Sequence, residues 1–271
     1  MADGMAVGSR PLVPSRLAPG GVAHGSRRTP RNKIGGFIAL TKPRIIELLL
    51  ITTVPTMVLA QGAWPRTTLV LVTLLGGTLA AGGANAINMV VDRDIDKLMP
   101  RTQNRPLVTG LLQPREALVF ALTLEVVAFA VLWAWANLLS AILALSAMLF
   151  YVFVYTLWLK RTSTQNIVIG GAAGAVPPLV GWAAATGSLN LAAIFLFIII
   201  FYWTPPHFWA LALVKQKDYA RAGVPMLPVI VGDHETYRQI LLYSIMLVAL
   251  SVMLFPMGAM GWLYLVSAIV L

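Results

Sequence analysis

Asn88, Asp92 and Asp96 are spaced by four residues and close the second long apolar run of the chain. On a helix that spacing stacks all three side chains along one face. Three oxygen-bearing groups on one stripe suit a hard divalent cation, and magnesium is commonly held by one or two carboxylates together with substrate phosphates. Asp94 falls roughly 200° around the helix from Asp92 and points elsewhere, towards Arg93 or a neighbouring loop. A solvated acidic helix end with incidental spacing is the blander explanation. It loses ground here because ionisable groups where a span leaves a membrane are functional candidates by default. Asp92, Asp94 and Asp96 also repel one another without a counter-cation. The chemistry expected is a magnesium ion gathering a diphosphate.

Cations surround the stripe. Arg93 and Lys97 lie within it, and Arg101 and Arg105 follow in the run Arg101-Thr-Gln-Asn-Arg105-Pro106. Guanidinium groups grip phosphate oxygens through a two-pronged fork. Any one of these cations is also explained by the retention of Lys and Arg on the cytoplasmic side of membrane proteins. Their proximity to three aspartates favours a phosphate role.

The elements that must position these groups are membrane spans. Of the 271 residues, 58% are hydrophobic and 11% charged, where a soluble domain carries roughly a quarter charged residues. That composition excludes a water-soluble globule. The absence of cysteine excludes disulfides and thiolate metal sites. Runs long enough to cross a bilayer lie near 45–62, 68–91, 117–137, 139–158, 166–186, 190–213 and 239–257, and an eighth starts near 260 and is cut off at Leu271. Of the basic residues, only Arg66 falls on the side of the connections after odd-numbered spans. The amino terminus and the connections around 92–116, 159–165 and 214–238 are therefore expected to be cytoplasmic. Residues 1–35, rich in Gly, Pro, Ser and Arg, read as a disordered basic cytoplasmic tail. They share an Arg-rich, acid-poor composition with mitochondrial transit peptides, although their Pro and Gly content argues against the amphipathic helix such a peptide needs. The remainder, 36–271, reads as one transmembrane domain, incomplete at its C-terminus.

Asn88-Met-Val-Val-Asp92-Arg-Asp-Ile-Asp96 followed by Arg101-Thr-Gln-Asn-Arg105-Pro resembles the UbiA superfamily of intramembrane prenyltransferases. Tyr155-Thr-Leu-Trp-Leu-Lys160-Arg161, the run from Asn166 to Trp182, Trp203-Thr-Pro-Pro-His207-Phe-Trp209 and Pro225-Met226-Leu-Pro228 resemble its heme-directed branch. The likeness runs from about Lys42 to Gly232. It implies an all-α polytopic bundle of nine helices around a central cavity, about eight of them covered here. It also implies a second metal motif, for which this chain offers Asp218 but has Ala222 four residues later.

The activity implied is transfer of the farnesyl group of farnesyl diphosphate to the vinyl side chain of heme B, with addition of water, giving heme O. Magnesium is the implied cofactor, on Asn88, Asp92, Asp96 and Asp218. Arg93, Lys97, Arg101, Arg105, Lys160 and Arg161 are the implied diphosphate contacts, and Tyr155 joins the catalytic set through its ring face. His207, Trp203 and Trp182 are candidates for holding heme, though Trp and Tyr also gather at membrane boundaries. A heme A synthase or a heme-copper oxidase assembly is the implied downstream partner, and a bacterial plasma membrane or a mitochondrial inner membrane the location. Two other readings stay open: a quinone-precursor or chlorin acceptor, and a cation-coupled transporter with broken helices as its gate. Pro177-Pro178 and Pro205-Pro206 are expected to break their spans. The glycine pairs 76–77, 82–83 and 170–171 are expected to bring helices close. Glu47 and Glu125 are acids within or near spans with no assigned role.

Overall fold

A computed structural model describes residues 32–270, with the side chains of residues 48 and 49 excepted. The tail reading for residues 1–31 lies outside the described residues. The helical part starts at Lys33, three residues before the boundary expected at residue 36.

The helix ends are written in local chemistry. Asn32 caps α1 (Lys33–Thr41) by accepting from the Gly35 amide at 2.7 Å. Pro43 at the first position of α2 (Pro43–Gln61) removes an amide that would otherwise lack a partner. The same proline disfavours helical backbone at the residue before it, and Lys42 turns the chain with φ 54 and ψ 62. The sequence continues through α3 (Thr67–Val91) and the short α4 (Arg93–Leu98). Then α5 (Pro114–Trp135) starts on a capping box formed by Gln113 and Glu116. Next, α6 (Leu138–Leu149) runs without a break into a π-helical stretch, Phe150–Leu159, and ends in α7 (Lys160–Thr162). After that come α8 (Asn166–Ala175), α9 (Pro177–Thr186), α10 (Leu191–Val214), α11 (Gln216–Arg221) and α12 (Leu227–Val231). The described chain closes with α13 (Asp233–Val252) and α14 (Trp262–Val270).

Among the described residues, five helices are long and apolar enough to cross a membrane, and six when the pair Lys33–Glu47 and Leu50–Gln61, bent by 47°, counts as one span. This is a multi-pass membrane protein. The run expected at 239–257 belongs to α13, which begins at Asp233 and ends at Val252. Its first turns carry Asp233, His234, Glu235 and Arg238, so the helix starts in the polar zone and its apolar part is shorter than expected.

The core is organised around α3. Its buried residues include Gly76, Ala80, Gly83, Ala84, Ala86 and Asn88, nearly all small, which lets neighbours approach its backbone. At Gly83 an added Cβ would lie 2.7 Å from Glu125 Oε1 and 2.9 Å from the Ala121 carbonyl, so only glycine fits against α5. The two proline pairs behave differently. Pro177 starts a new helix after Val176, as expected. Pro205 and Pro206 do not break theirs: both sit inside the continuous helix α10. Each proline leaves the carbonyl four residues back, that of Phe201 or Tyr202, without its helical donor, which spans tolerate where the backbone is buried in protein.

Candidate active site

The stripe survives the junction between α3 and α4. The Asp92 amide donates to the Asn88 carbonyl and the Asp96 amide to the Asp92 carbonyl, both at 2.9 Å, so both four-residue steps remain helical. Asn88, Asp92 and Asp96 are 3%, 1% and 4% exposed, so the three face a shared interior and not lipid.

The side chains of the stripe draw partners from several helices. Asn88 Nδ2 donates to Asp92 Oδ2 at 2.7 Å and to Thr156 Oγ1 at 3.2 Å, while Asn88 Oδ1 accepts from Lys42 Nζ at 2.9 Å. Asp92 Oδ2 is also paired with Lys160. Arg105 Nη1 lies 2.5 Å from Asp96 Oδ2. The loop that delivers Arg105 is folded back by Thr102, whose hydroxyl donates to the Asp96 carbonyl at 2.7 Å. Burial pushes the Asp96 carboxyl above its ordinary range, against the opposing pull of Arg105. Asp94 points the other way, as its helical angle required. It meets Arg161, which holds its carboxyl down at about 2.

Asp92 Oδ1 has no hydrogen-bond partner although it is buried. Leaving such an oxygen unsatisfied is costly. It is aimed from a stripe whose other donors are an amide oxygen and a second carboxylate, an all-oxygen set that suits magnesium. The residues present therefore fit the ion. They do not form the four-residue set expected from sequence. Asp218 lines a cleft of about 570 Å³ with Arg101, Lys215 and Lys217, and none of Asn88, Asp92 and Asp96 is among its lining residues. Among the described residues no group of three acids or histidines converges on one point. Two carboxylates and an amide are still enough for an ion that takes its remaining ligands from phosphate and water.

The expected cations separate into three groups. Lys160 and Arg105 reach the stripe. Arg101 stands apart, donating to the Tyr219 hydroxyl at 3.1 Å with its guanidinium over that ring, on the cleft that holds Asp218. Arg93 and Lys97 are not brought in, being on the exposed side of α4, opposite buried Ile95 and Asp96. Arg161 reaches Asp94 instead of the buried stripe.

Lys42, Thr156 and Tyr151 complete the surroundings and were not expected there. Lys42 reads from sequence as a topological charge, and the one signal of a special position is the following proline. Thr156 and Tyr151 owe their placement to the π-helical stretch, which widens the turn: the Thr156 hydroxyl donates to the Tyr151 carbonyl five residues back, at 2.8 Å. Short π-helical segments gather at functional sites. In the same stretch Tyr155 stacks on Tyr151, with ring centroids 5.3 Å apart. Its ring lies so close to α8 that a Cβ on Gly170 would fall 2.2 Å from Tyr155 Cδ2.

The three candidates for holding heme are not together. Trp203 and His207 stack at 4.4 Å on an exposed face of α10. Trp182 is buried with Leu179, Ala192 and Ala193 at the other end of that helix. Ten or more residues of α10 separate the two places, roughly 15 Å at the helical rise.

Buried carboxylates at a helix mouth, met by Lys and Arg, thus sit within a bundle of membrane-length helices. The chain belongs to the UbiA prenyltransferase family, which it matches over residues 49–271. Its relatives include proteins named protoheme IX farnesyltransferase. That of Gloeobacter violaceus is 56% identical over 91% of this chain and 82% of its own length. That of Streptomyces avermitilis is 54% identical over 88% and 78%. That of Chloroflexus aurantiacus is 53% identical over 96% of this chain, which spans only 44% of that relative. The fold is similar to a UbiA homologue from Archaeoglobus fulgidus solved with DMAPP and Mg2+, with a TM-score of 0.71 at 19% identity, covering 87% of this chain and 82% of that one. The same homologue solved with GPP and Mg2+ gives 0.70.

Proposed function

We propose that this chain is a protoheme IX farnesyltransferase, moving the farnesyl group of farnesyl diphosphate to a vinyl group of heme B, with addition of water, to give heme O. The observation that carries the reaction class is the unpartnered, buried Asp92 Oδ1 on a stripe with Asn88 and Asp96, inside a ring of cations. The choice of heme as acceptor rests on the relatives named for it, at 53–56% identity.

In this reading Asn88, Asp92 and Asp96 hold magnesium. When bound, the ion supplies positive charge to the departing diphosphate. Lys160 and Arg105 are the protein's own share of that neutralisation. Their cationic ends are already gathered on Asp92 and Asp96, so little reorganisation is needed as negative charge develops. The farnesyl chain, apolar and flexible, lies among the spans, and the bundle keeps bulk water from the allylic cation. Tyr155 is the proposed aromatic contact of that cation, its ring fixed by stacking on Tyr151 and by the edge contact with Gly170. A desolvated cation–π contact is worth about 2 kcal/mol, which is roughly thirtyfold in rate. Tyr155→Leu is therefore expected to lower kcat about thirtyfold, and Tyr155→Phe to stay near the wild-type rate. Steady-state kinetics on both variants check it, and equal loss in the two would assign the effect to the hydroxyl.

Trp203 and His207, stacked on α10, are the proposed heme contacts; Trp182 is left out because it lies at the far end. The predominance of Lys and Arg in alternate connections supports a cytoplasmic amino terminus and active face in a bacterial plasma membrane, with a heme A synthase or an oxidase assembly as consumer of the product. The test is expression in a host that makes no heme O, followed by pigment extraction and mass measurement. Appearance of the hydroxyethylfarnesyl heme is expected. Prenylation of a phenolic acid, and not of heme, by the same membranes would overturn the choice of acceptor.

A further inference from the structure

Arg161 sits next to Lys160 at the end of the rod that carries the π-helical stretch. The two neighbouring cations reach different targets on the α3–α4 junction. Lys160 makes one contact, to Asp92. Arg161 makes three: Nη1 to Asp94 Oδ2 at 2.7 Å, Nη2 to Asp94 Oδ1 at 2.7 Å, and Nη2 to the Val91 carbonyl at 3.0 Å. The fork of its guanidinium, the geometry that would grip a phosphate, is thus spent on the protein.

The contacts fall where the stripe is weakest. Val91 is the last residue of α3, whose terminal carbonyls lack helical partners, and Asp94 lies in the first turn of α4. Between them Asp92 has φ −82 and ψ 6, outside regular helical backbone. Asp92 and Asp96 share one face only while α4 keeps its angle to α3 across this junction. A guanidinium bound to both sides of it fixes that angle. The pair is partly exposed, with Arg161 and Asp94 side chains at 33% and 64%, so its contribution to stability is small. Its effect is on geometry.

We propose that the Asp94–Arg161 pair is a brace that positions Asp92 and Asp96 for the metal-diphosphate, and that Arg161 is a positioning residue and not a diphosphate contact. This rests on the reading of the stripe as a magnesium site. Groups that orient metal ligands in this way typically change metal affinity by 10–100-fold when removed. Asp94→Asn and Arg161→Gln are each expected to weaken cation binding about tenfold, and the double variant to be no worse than either single one, because both remove the same contact. Arg161→Lys, which keeps the charge but loses the fork, is expected to resemble Arg161→Gln.

The test is titration of the purified, monodisperse protein in detergent with Mn2+ in the presence of inorganic pyrophosphate, followed by the EPR signal of free Mn2+, alongside KM and kcat for farnesyl diphosphate. The expected result is a shared loss in Mn2+ affinity and a raised KM, kcat moving less, and a non-additive double variant. The charge swap Asp94→Arg with Arg161→Asp, which restores the attraction, is expected to recover part of the affinity. A large loss in Arg161→Gln with none in Asp94→Asn, or additive losses, would overturn the brace and assign Arg161 to the diphosphate. Variants indistinguishable from an active wild type would overturn it too. Failure of the wild type itself to bind Mn2+ with pyrophosphate and to form product would instead bring down the magnesium site.

Discussion

Asp92→Asn is expected to lower kcat by about a thousandfold while the protein stays folded in the membrane. The substitution keeps size and shape, so a position that is 1% exposed is not emptied. It removes the charge, and because Asn88 and Lys160 both donate to the Oδ2 position, the amide oxygen is held there and the amide nitrogen, which donates, takes the place of Oδ1. Asp96→Ala is expected to abolish turnover in the same way. Near-normal product formation by either variant, in a membrane assay supplied with both substrates, would contradict the mechanism.

Lys160→Met separates two roles of one side chain. Its amine pairs with Asp92, and removing one partner of a buried pair typically costs about 3–5 kcal/mol because the other charge is left uncompensated. The Lys160 side chain is 17% exposed, so the lower end, about 3 kcal/mol, applies. The variant is expected to melt at a lower temperature without divalent ions and to recover part of the loss when magnesium is added, since an ion that binds the folded state stabilises it by mass action. The KM for farnesyl diphosphate is expected to rise about tenfold, the size of one lost charge-assisted contact. Thermal unfolding with and without magnesium, together with KM, checks both effects. An unchanged melting temperature and KM would make the contact with Asp92 incidental. A substituted Arg161 is expected to show the raised KM without a comparable fall in melting temperature, its pair being exposed.

What the sequence carries about this site is mostly local. Four-residue spacing is a property of one helix, so the common face of Asn88, Asp92 and Asp96 and the opposite heading of Asp94 follow from it. The break expected at Pro177 is local too, and a new helix starts there. Partnerships between helices are a different matter. Nothing in the spacing distinguishes Lys160, which pairs with Asp92, from Arg161, which turns to Asp94, because one residue along a helix end changes the direction by about 100°. Arg93 and Lys97 are close to the stripe along the chain yet face away from it. Lys42 is far along the chain and bonded to it. The π-helical register is invisible to a periodicity of 3.6, and it decides where Thr156 and Tyr151 fall. Pro205 and Pro206 read as a break because the rule comes from water, where a lost backbone bond has fewer substitutes than among packed spans.

In the proposed mechanism oxygen groups on the α3–α4 junction gather a divalent ion that draws the diphosphate away from the farnesyl chain. Its most direct measurement is pyrophosphate release from farnesyl diphosphate by the purified chain supplied with heme B, followed while magnesium is removed by chelation and then restored. Release that stops on chelation, returns with magnesium and is absent in Asp92→Asn at every magnesium concentration is the predicted result. Release that continues unchanged under full chelation, or that Asp92→Asn supports at the wild-type rate, would contradict it.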